Sequence, residues 1–241
     1  MNIGIVIPCY KESENIISLI NQINQNLKEP TVYIVDDSPD NQIGELIKKF
    51  NNVKYFYRGK KLGRGSAVLF GLKKILEENK SKIIIEMDAD LSHDPFELSQ
   101  NLISFKNQNC DLLISSRYLI KSKIINWSLQ RLIFSYIANK LAKLLLKVPI
   151  TDYTNGYRIY SKNAIQHVTK NCGKIGDGFI ILSEILVQLY YNQFTVLETS
   201  TIFRNRVRGE SSVNLREVIS SLLGLVKIYK IKKKLSKKDK K

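Results

Sequence analysis

The sequence predicts an α/β protein with a mostly parallel central sheet flanked by helices. Short apolar runs rich in β-branched residues alternate with segments whose apolar residues recur at helical spacing. The runs lack polar alternation, as expected of strands buried on both faces. Acids stand at the carboxyl ends of several runs, which is where such sheets bind ligands.

Ile3–Pro8 (IGIVIP) is the first strand, closed by proline, and Ile16, Leu19, Ile20, Ile23 and Leu27 then repeat as one face of a helix. TVYIVDD (31–37) is a second strand ending in Asp36 and Asp37, QIGELIKKF (42–50) a helix, and VKYFYR (53–58) a third strand. A helix opened by glycines spans 63–79, KIIIEMD (82–88) is a fourth strand, and 95–106 is a helix with Pro95 in its first turn. DLLISSR (111–117) is a fifth strand. Beyond it, 127–150 has the pattern of a long amphipathic helix, DYTNGYRIYSK (152–162) is polar and turn-rich, 178–192 is helical and 195–203 a strand. FRNRVRGESS (203–212) is a basic, flexible loop, and the helix that opens at Leu215 fades into a lysine tail. With no internal repeat and no linker, residues 1–212 form one domain, and 213–241 form an amphipathic helix and basic appendage.

Hydrophobic residues make up 44% of the 241, enough for a sizeable core. The net charge of +16 points to phosphate-bearing ligands, anionic membrane or nucleic acid. Residues 227–241 carry nine lysines and one aspartate, half of that excess. Three scattered cysteines have neither metal nor disulfide spacing and are expected to be reduced, as in an intracellular protein. The first residues lack the basic flank and long apolar run of a signal peptide, and no run has the length of a membrane-spanning helix.

The chemistry concentrates in IIIEMDADLSHDP. Asp88 and Asp90, two apart on extended chain, point to one side and repel unless a cation joins them. Mg²⁺ takes one or two carboxylates and fills its other positions with water and substrate phosphate, so the stretch suits a divalent ion holding a diphosphate. The plainer alternative is a surface turn, because acids often follow strands. Gly63–Gly71 permits close backbone approach, either to a nucleotide or within a tightly packed helix start. The Gly-x-Gly-x-x-Gly of a dinucleotide-binding dehydrogenase is absent after the first strand.

PCYKESENI after the first strand, VDDSPD after the second, GRGSAVLFG before the fourth and the Asp-x-Asp after it together resemble the family-two inverting glycosyltransferases. These have the GT-A, Rossmann-like nucleotide-sugar-binding fold. The resemblance implies that Pro8, Tyr10 and Glu12 line a base pocket. Asp37, with Asp36 as the alternative, would receive hydrogen bonds from base or ribose. Asp88, Asp90 and Ser92 would hold Mg²⁺ or Mn²⁺, and Asp88 would also face the nucleotide sugar. SSRY, the long helix, DYTNGYRIYSK, GFIILSEIL and FRNRVRGESS extend the resemblance to the dolichyl- or polyprenyl-phosphate mannose synthases. In that family, arginines at Arg117, Arg131 and Arg206 grip phosphates, a task suited to a planar, permanently charged fork. With Asp90 they form the implied catalytic set, and residues 1–212 become the catalytic domain. Two positions depart from the family: Ser92 stands where glutamine is common, and Ser212 where a lysine closes Gly-Glu-Ser-Lys.

The implied reaction is inverting transfer of mannose from GDP-mannose to polyprenyl (dolichyl) phosphate, giving a lipid-phosphate sugar donor for glycan assembly. No side chain is a convincing general base, His93 reading as an ordinary turn residue. None is needed, because a phosphomonoester with a second pKa near ~6 is already a nucleophilic dianion at neutral pH. A lipid acceptor requires contact with a membrane. Lys140, Lys143 and Lys147 form a stripe beside Leu141, Leu144, Leu145 and Val148, as in an interfacial helix, although a core-covering helix with solvated lysines has the same pattern. Leu215, Val218, Leu222, Val226 and Tyr229 share a face before the lysine tail. Family members often add transmembrane helices; this chain is expected at the cytoplasmic face of a membrane, peripheral or held by a separate anchoring subunit. Two other readings remain: a UDP-glucose-dependent lipid-phosphate glucosyltransferase, and a non-catalytic basic module binding membrane or RNA. The chain lacks an aromatic-rich RNA-binding signature, which argues against nucleic acid as a partner.

Overall fold

The computed structural model describes residues 2–205 and 215–238, with side chains of the last helix from 223 to 237. The strands are β1 (Ile3–Cys9), β2 (Thr31–Asp36), β3 (Val53–Tyr57), β4 (Ile83–Glu86), β5 (Leu112–Ser116), β6 (Lys123–Ile125), β7 (Arg158–Ser161), β8 (Val196–Ser200) and β9 (Ile202–Arg204). The helices are α1 (Ile16–Asn26), α2 (Gln42–Ile47), α3 (Arg64–Glu78), α4 (Leu98–Gln108, entered through a 3₁₀ turn at Pro95–Glu97), α5 (Leu129–Leu146), α6 (Lys162–Asn171), α7 (Ile180–Tyr190) and α8 (Leu215–Lys238).

Seven strands form one sheet in the order β3-β2-β1-β4-β7-β5-β8. Six point the same way, and β7 lies antiparallel between β4 and β5. A separate two-stranded sheet pairs β6 with β9. Alternate strand residues feed two cores. Ile5, Ile7, Ile34 and Ile85 pack under α1 and α4, while Val6, Ile84 and Ile114 pack on the other face under α3 and α7. α7 is apolar on nearly every side because it is buried from Ile180 to Leu189.

The five predicted strands of the first half are all present, and the structure revises the second half. The segment 152–162, expected to be polar and turn-rich, ends in a strand at the centre of the sheet. Its polar residues are internally satisfied. Arg158 donates to the carbonyls of Asn155, Leu182 and Tyr153, and the Tyr160 hydroxyl donates to Glu86 at 2.6 Å. The next residues, to which the sequence reading gave no element, form α6, capped by the Ser161 hydroxyl oxygen accepting from the Ala164 N–H. The strand expected over 195–203 breaks at Thr201 into β8 and β9.

The lysine-rich helix is more than an appendage along part of its length. Leu225 and Ile228 are buried in the α3–α7 core, and a side chain at Gly224 would strike Ile180. Val148, read as part of an interfacial stripe, lies in the same core, while Leu141 and Leu144 are exposed. The three cysteines are free and buried. Among the described residues no helix is long and apolar enough to cross a membrane.

Because Ile228 is fully buried, Ile228→Ala is expected to lower the unfolding free energy by ~2–5 kcal/mol. Urea denaturation measures it, and a loss below ~0.5 kcal/mol, typical of surface substitutions, would show that α8 does not share the core.

Candidate active site

The carboxyl ends of β1, β2, β4 and β5 meet along one edge of the sheet. Cys9 is level with Asp36, and Val6 with Glu86, so Asp88 leaves β4 beside Pro8. The turns after β1 and β2 are sewn together: the Asp37 N–H donates to the Cys9 carbonyl at 2.9 Å and the Lys11 N–H to Ser38 Oγ at 2.8 Å. Tyr10 stands on this rim with Lys61 Nζ 4.9 Å from its ring centre. Glu12 lies in the turn that leads into α1, its carbonyl accepting from the Asn15 and Ile16 N–H groups and its carboxylate from the Asn15 side chain.

The two acids after β2 differ in surroundings. Asp36 is fully buried and receives the Tyr55 hydroxyl at 2.8 Å. Asp37 is gripped bidentately by Arg58 at 2.5 and 2.8 Å, and also accepts from the Leu62 N–H. A ligand reaching Asp37 must share it with Arg58, a partner that the sequence reading did not foresee. Of the glycines before β4, Gly63 has φ +97° and a side chain there would strike the Asp177 carbonyl, to which the Gly65 N–H donates at 2.7 Å. Close packing is thus their visible use.

Around Asp88 and Asp90 the turn is heavily braced. The Ser92 N–H donates to Asp90 Oδ1 at 3.1 Å, and the Ser92 carbonyl accepts from the Arg204 N–H of β9. Ser92 itself is buried. His93, fully enclosed, accepts the Asp88 N–H on Nδ1 at 3.0 Å, so its proton sits on Nε2 and is donated to Asn155 Oδ1 at 2.9 Å. Its ring stacks on Tyr157 at 5.1 Å. Burial pushes the imidazole below its ordinary pKa, partly opposed by Asp88 and Asp90. His93 therefore positions the acid turn, a role hidden in sequence because Tyr157 and Asn155 lie more than sixty residues away.

The network continues outward. The Asn155 amide donates to the Ser115 carbonyl, and its N–H to Asp152 Oδ1 at 3.0 Å. Asp152 is fully buried and binds Arg117 three times: through Nε and Nη2 at 2.8 Å each, and through its N–H at 3.0 Å. Desolvation works against the charge on Asp152, yet Arg117 holds its pKa below the usual 3.8. Trp127 lies beside this pair, its ring centre 5.4 Å from the Arg117 guanidinium and 4.0 Å from that of Arg131. Arg131 Nη1 also donates to Asn205 at 3.0 Å. Thus Arg117 and Arg131 converge on one tryptophan, while Arg206, like Ser212, lies outside the described residues.

Asp88 and Asp90 supply hard oxygen donors, which fit Mg²⁺ or Mn²⁺. No group of three or more His, Cys, Asp or Glu able to hold a metal occurs among the described residues, so an ion here would need oxygen donors of another kind, such as the Ser92 hydroxyl, water or phosphate. A second residue that sequence reading passed over is Arg64, whose guanidinium bridges Asp88 and Glu86. Its glycine-flanked position was its only signal.

Three comparisons bear on this geometry. The model of glycosyl transferase family 2 matches residues 4–169. A polyprenol monophosphomannose synthase of Mycolicibacterium smegmatis is 30% identical over 223 residues, covering 89% of this chain and 83% of that protein. A dolichol-phosphate mannosyltransferase of Pyrococcus furiosus is 33% identical over 238 residues, covering 95% of this chain and 64% of that protein. Among solved structures, the glucosyl-3-phosphoglycerate synthase of Mycobacterium tuberculosis with Mn²⁺, UDP-glucose and phosphoglyceric acid aligns with TM-score 0.66 at 15% identity. The match covers 95% of this chain and 79% of that one. That likeness shows the fold.

Asp152→Asn leaves the buried Arg117 charge uncompensated and is expected to destabilise by ~3–5 kcal/mol, on the order of 10 °C in thermal midpoint for a chain of this size. The folded pKa of Asp152 is depressed, so its contribution is present above the unfolded value of 3.8 and lost as pH falls through the lower folded value. The gap between wild type and variant in thermal melts should hold at neutral pH and close in acid. A gap independent of pH would show that the ion pair is not its source.

Proposed function

The chain belongs to glycosyl transferase family 2, and from that premise we propose that it transfers mannose from GDP-mannose to a polyprenyl or dolichyl phosphate, inverting the anomeric carbon. One juxtaposition carries the reading. The Asp88–Asp90 turn and the Arg117–Trp127–Arg131 cluster belong to one connected wall, and α5, with an exposed apolar face, begins two residues beyond Trp127. The two relatives named above support the choice of sugar and acceptor.

In this reading the nucleotide occupies the rim of Tyr10, Glu12 and Asp37, beside Pro8, and its diphosphate faces Asp88 and Asp90. Those carboxylates, with Ser92 at the same turn, would hold a divalent ion, whose charge neutralises the departing diphosphate. Arg131, stacked on Trp127, receives the lipid phosphate, with Arg117 as the fixed charge behind it and Arg206 as a further contact. A phosphate oxygen forms the new bond to the anomeric carbon, and the bond from that carbon to the diphosphate oxygen breaks, the electron pair leaving with GDP. The dianionic acceptor brings no proton to remove, which agrees with the only imidazole beside Asp88 being pushed toward its neutral form by burial.

The acceptor's chain would lie along α5. Leu129, Ile133, Phe134, Ile137 and Leu144 are exposed there, Leu144 to 71%, beside Lys140, Lys143 and Lys147. A solvent-facing apolar stripe rimmed with lysines suits an anionic membrane surface. α8 adds the exposed Leu223 and Val226 and its lysines. We place the enzyme peripherally, at the cytoplasmic face of a membrane, with or without a separate anchoring subunit.

Purified protein with anionic liposomes bearing polyprenyl phosphate should move label from GDP-mannose into the organic phase. EDTA should stop it, and Asp90→Asn should lower the rate on the order of 10²-fold. Transfer from UDP-glucose alone would change the donor, and full activity of the variant without metal would refute the scheme. Replacing Lys140, Lys143 and Lys147 together by Gln should weaken partition onto anionic vesicles roughly a hundredfold, at about 1 kcal/mol per lysine. Unchanged flotation would remove α5 from the membrane contact.

A further inference from the structure

Arg64 stands where a cation is wanted. Its Nε donates to Asp88 Oδ1 at 2.8 Å, Nη2 lies 2.7 Å from the same oxygen, and Nη1 donates to Glu86 Oε1 at 2.7 Å. The seat is shaped for it. Glu86 is fully buried, with its second oxygen held by the Tyr160 hydroxyl. The Phe179 ring lies 5.3 Å from the guanidinium. Gly156 clears the path, since a Cβ there would come within 2.0 Å of Arg64 Nη2. Desolvation opposes the charge, but Asp88 and Glu86 hold the pKa of Arg64 above its ordinary value, so the group stays cationic.

We propose that Arg64 is an internal counter-cation that makes divalent-metal binding at Asp88 and Asp90 conditional on the nucleoside diphosphate. The inference rests on the reading of those two aspartates as metal ligands. A guanidinium on Asp88 competes with an arriving ion for the same oxygen and repels it at close range. Glu86 is taken up by Arg64 and Tyr160, and His93 by the Asp88 N–H and Asn155, and no group of three or more His, Cys, Asp or Glu able to hold a metal occurs among the described residues to outweigh that repulsion. The diphosphate brings both the missing negative charge and the missing oxygen donors. Metal and nucleotide then bind as a coupled pair, and by linkage each strengthens the other by the same factor. The free enzyme keeps Asp88 paired and held by its own side chain, with Glu86 as the buried anchor of Arg64.

The test is Mn²⁺ binding to the full chain, read from loss of the free-ion paramagnetic resonance signal, together with calorimetric GDP affinity with and without Mn²⁺. Wild type should bind Mn²⁺ weakly alone, and Mn²⁺ should raise its GDP affinity strongly. The double variant Arg64→Met with Glu86→Gln removes both buried charges at once, so that neither is left unpaired. It should bind Mn²⁺ alone at least about tenfold more tightly, with correspondingly weaker coupling to GDP. Arg64→Gln, which retains a donor toward Glu86, should shift in the same direction and serves if the double variant does not fold. Arg64→Lys, keeping the charge, should stay close to wild type. Folded variants lacking the positive charge that bind Mn²⁺ no more tightly than wild type would overturn the proposal. Asp88→Asn with Asp90→Asn separates the two levels: if it abolishes the Mn²⁺ effect on GDP, the metal reading stands and the Arg64 variants decide alone. If it leaves that effect intact, the metal reading and the inference fall together.

Discussion

A buried carboxylate that cannot be left unpaired organises this active site. Asp152 is inaccessible to water, and its carboxylate accepts from the fork and N–H of Arg117 and from the N–H groups of Thr154 and Asn155. Glu198 fixes the same loop from the other side by accepting the Thr151 and Asp152 N–H groups. Such a pair adds little net stability against its desolvation, but a loop built around it has few alternative conformations. Conformation is what the site requires, because the same loop delivers Asn155 to His93, and His93 holds the backbone of Asp88.

The reversed strand explains why that loop is available. In a fully parallel sheet the chain arrives at the carboxyl edge only by leaving a strand. β7 runs the other way, so the residues preceding it, 152–157, arrive at that edge instead. The acid turn after β4 is therefore bordered on one side by the turns that follow β1 and β2, and on the other by a loop that carries Asp152 and Asn155. β9 closes the ring, with Phe203 against both His93 and Trp127.

Charge is sorted to match. Acids gather at this edge of the sheet, and three are held by arginines from elsewhere in the chain: Asp37 by Arg58, Asp88 by Arg64, Asp152 by Arg117. Further lysines lie on α5 and α8, beside exposed apolar residues such as Ile133, Leu144, Leu223 and Val226. A cleft that pairs its acids internally avoids repelling an anionic donor, and a basic, apolar flank suits the anionic membrane contact proposed above.

The sequence alone determined the strand-helix alternation of the first half, because buried parallel strands must be apolar on both faces and their helices on one. It also determined which residues carry oxygen donors and fixed cations, since side-chain chemistry is written residue by residue: Asp88, Asp90, Arg117 and Arg131 were legible, and their arrangement was not. Only the tertiary structure decided that polar DYTNGYRIYSK contributes an interior strand, because partners of Arg158 and Tyr160 include the distant Leu182 carbonyl and Glu86. It likewise decided that His93 is a brace and that Arg64 neutralises Asp88, and it seated the middle of α8 in the core. Each of these depends on contacts between residues far apart in the chain, and local periodicity holds no record of such contacts.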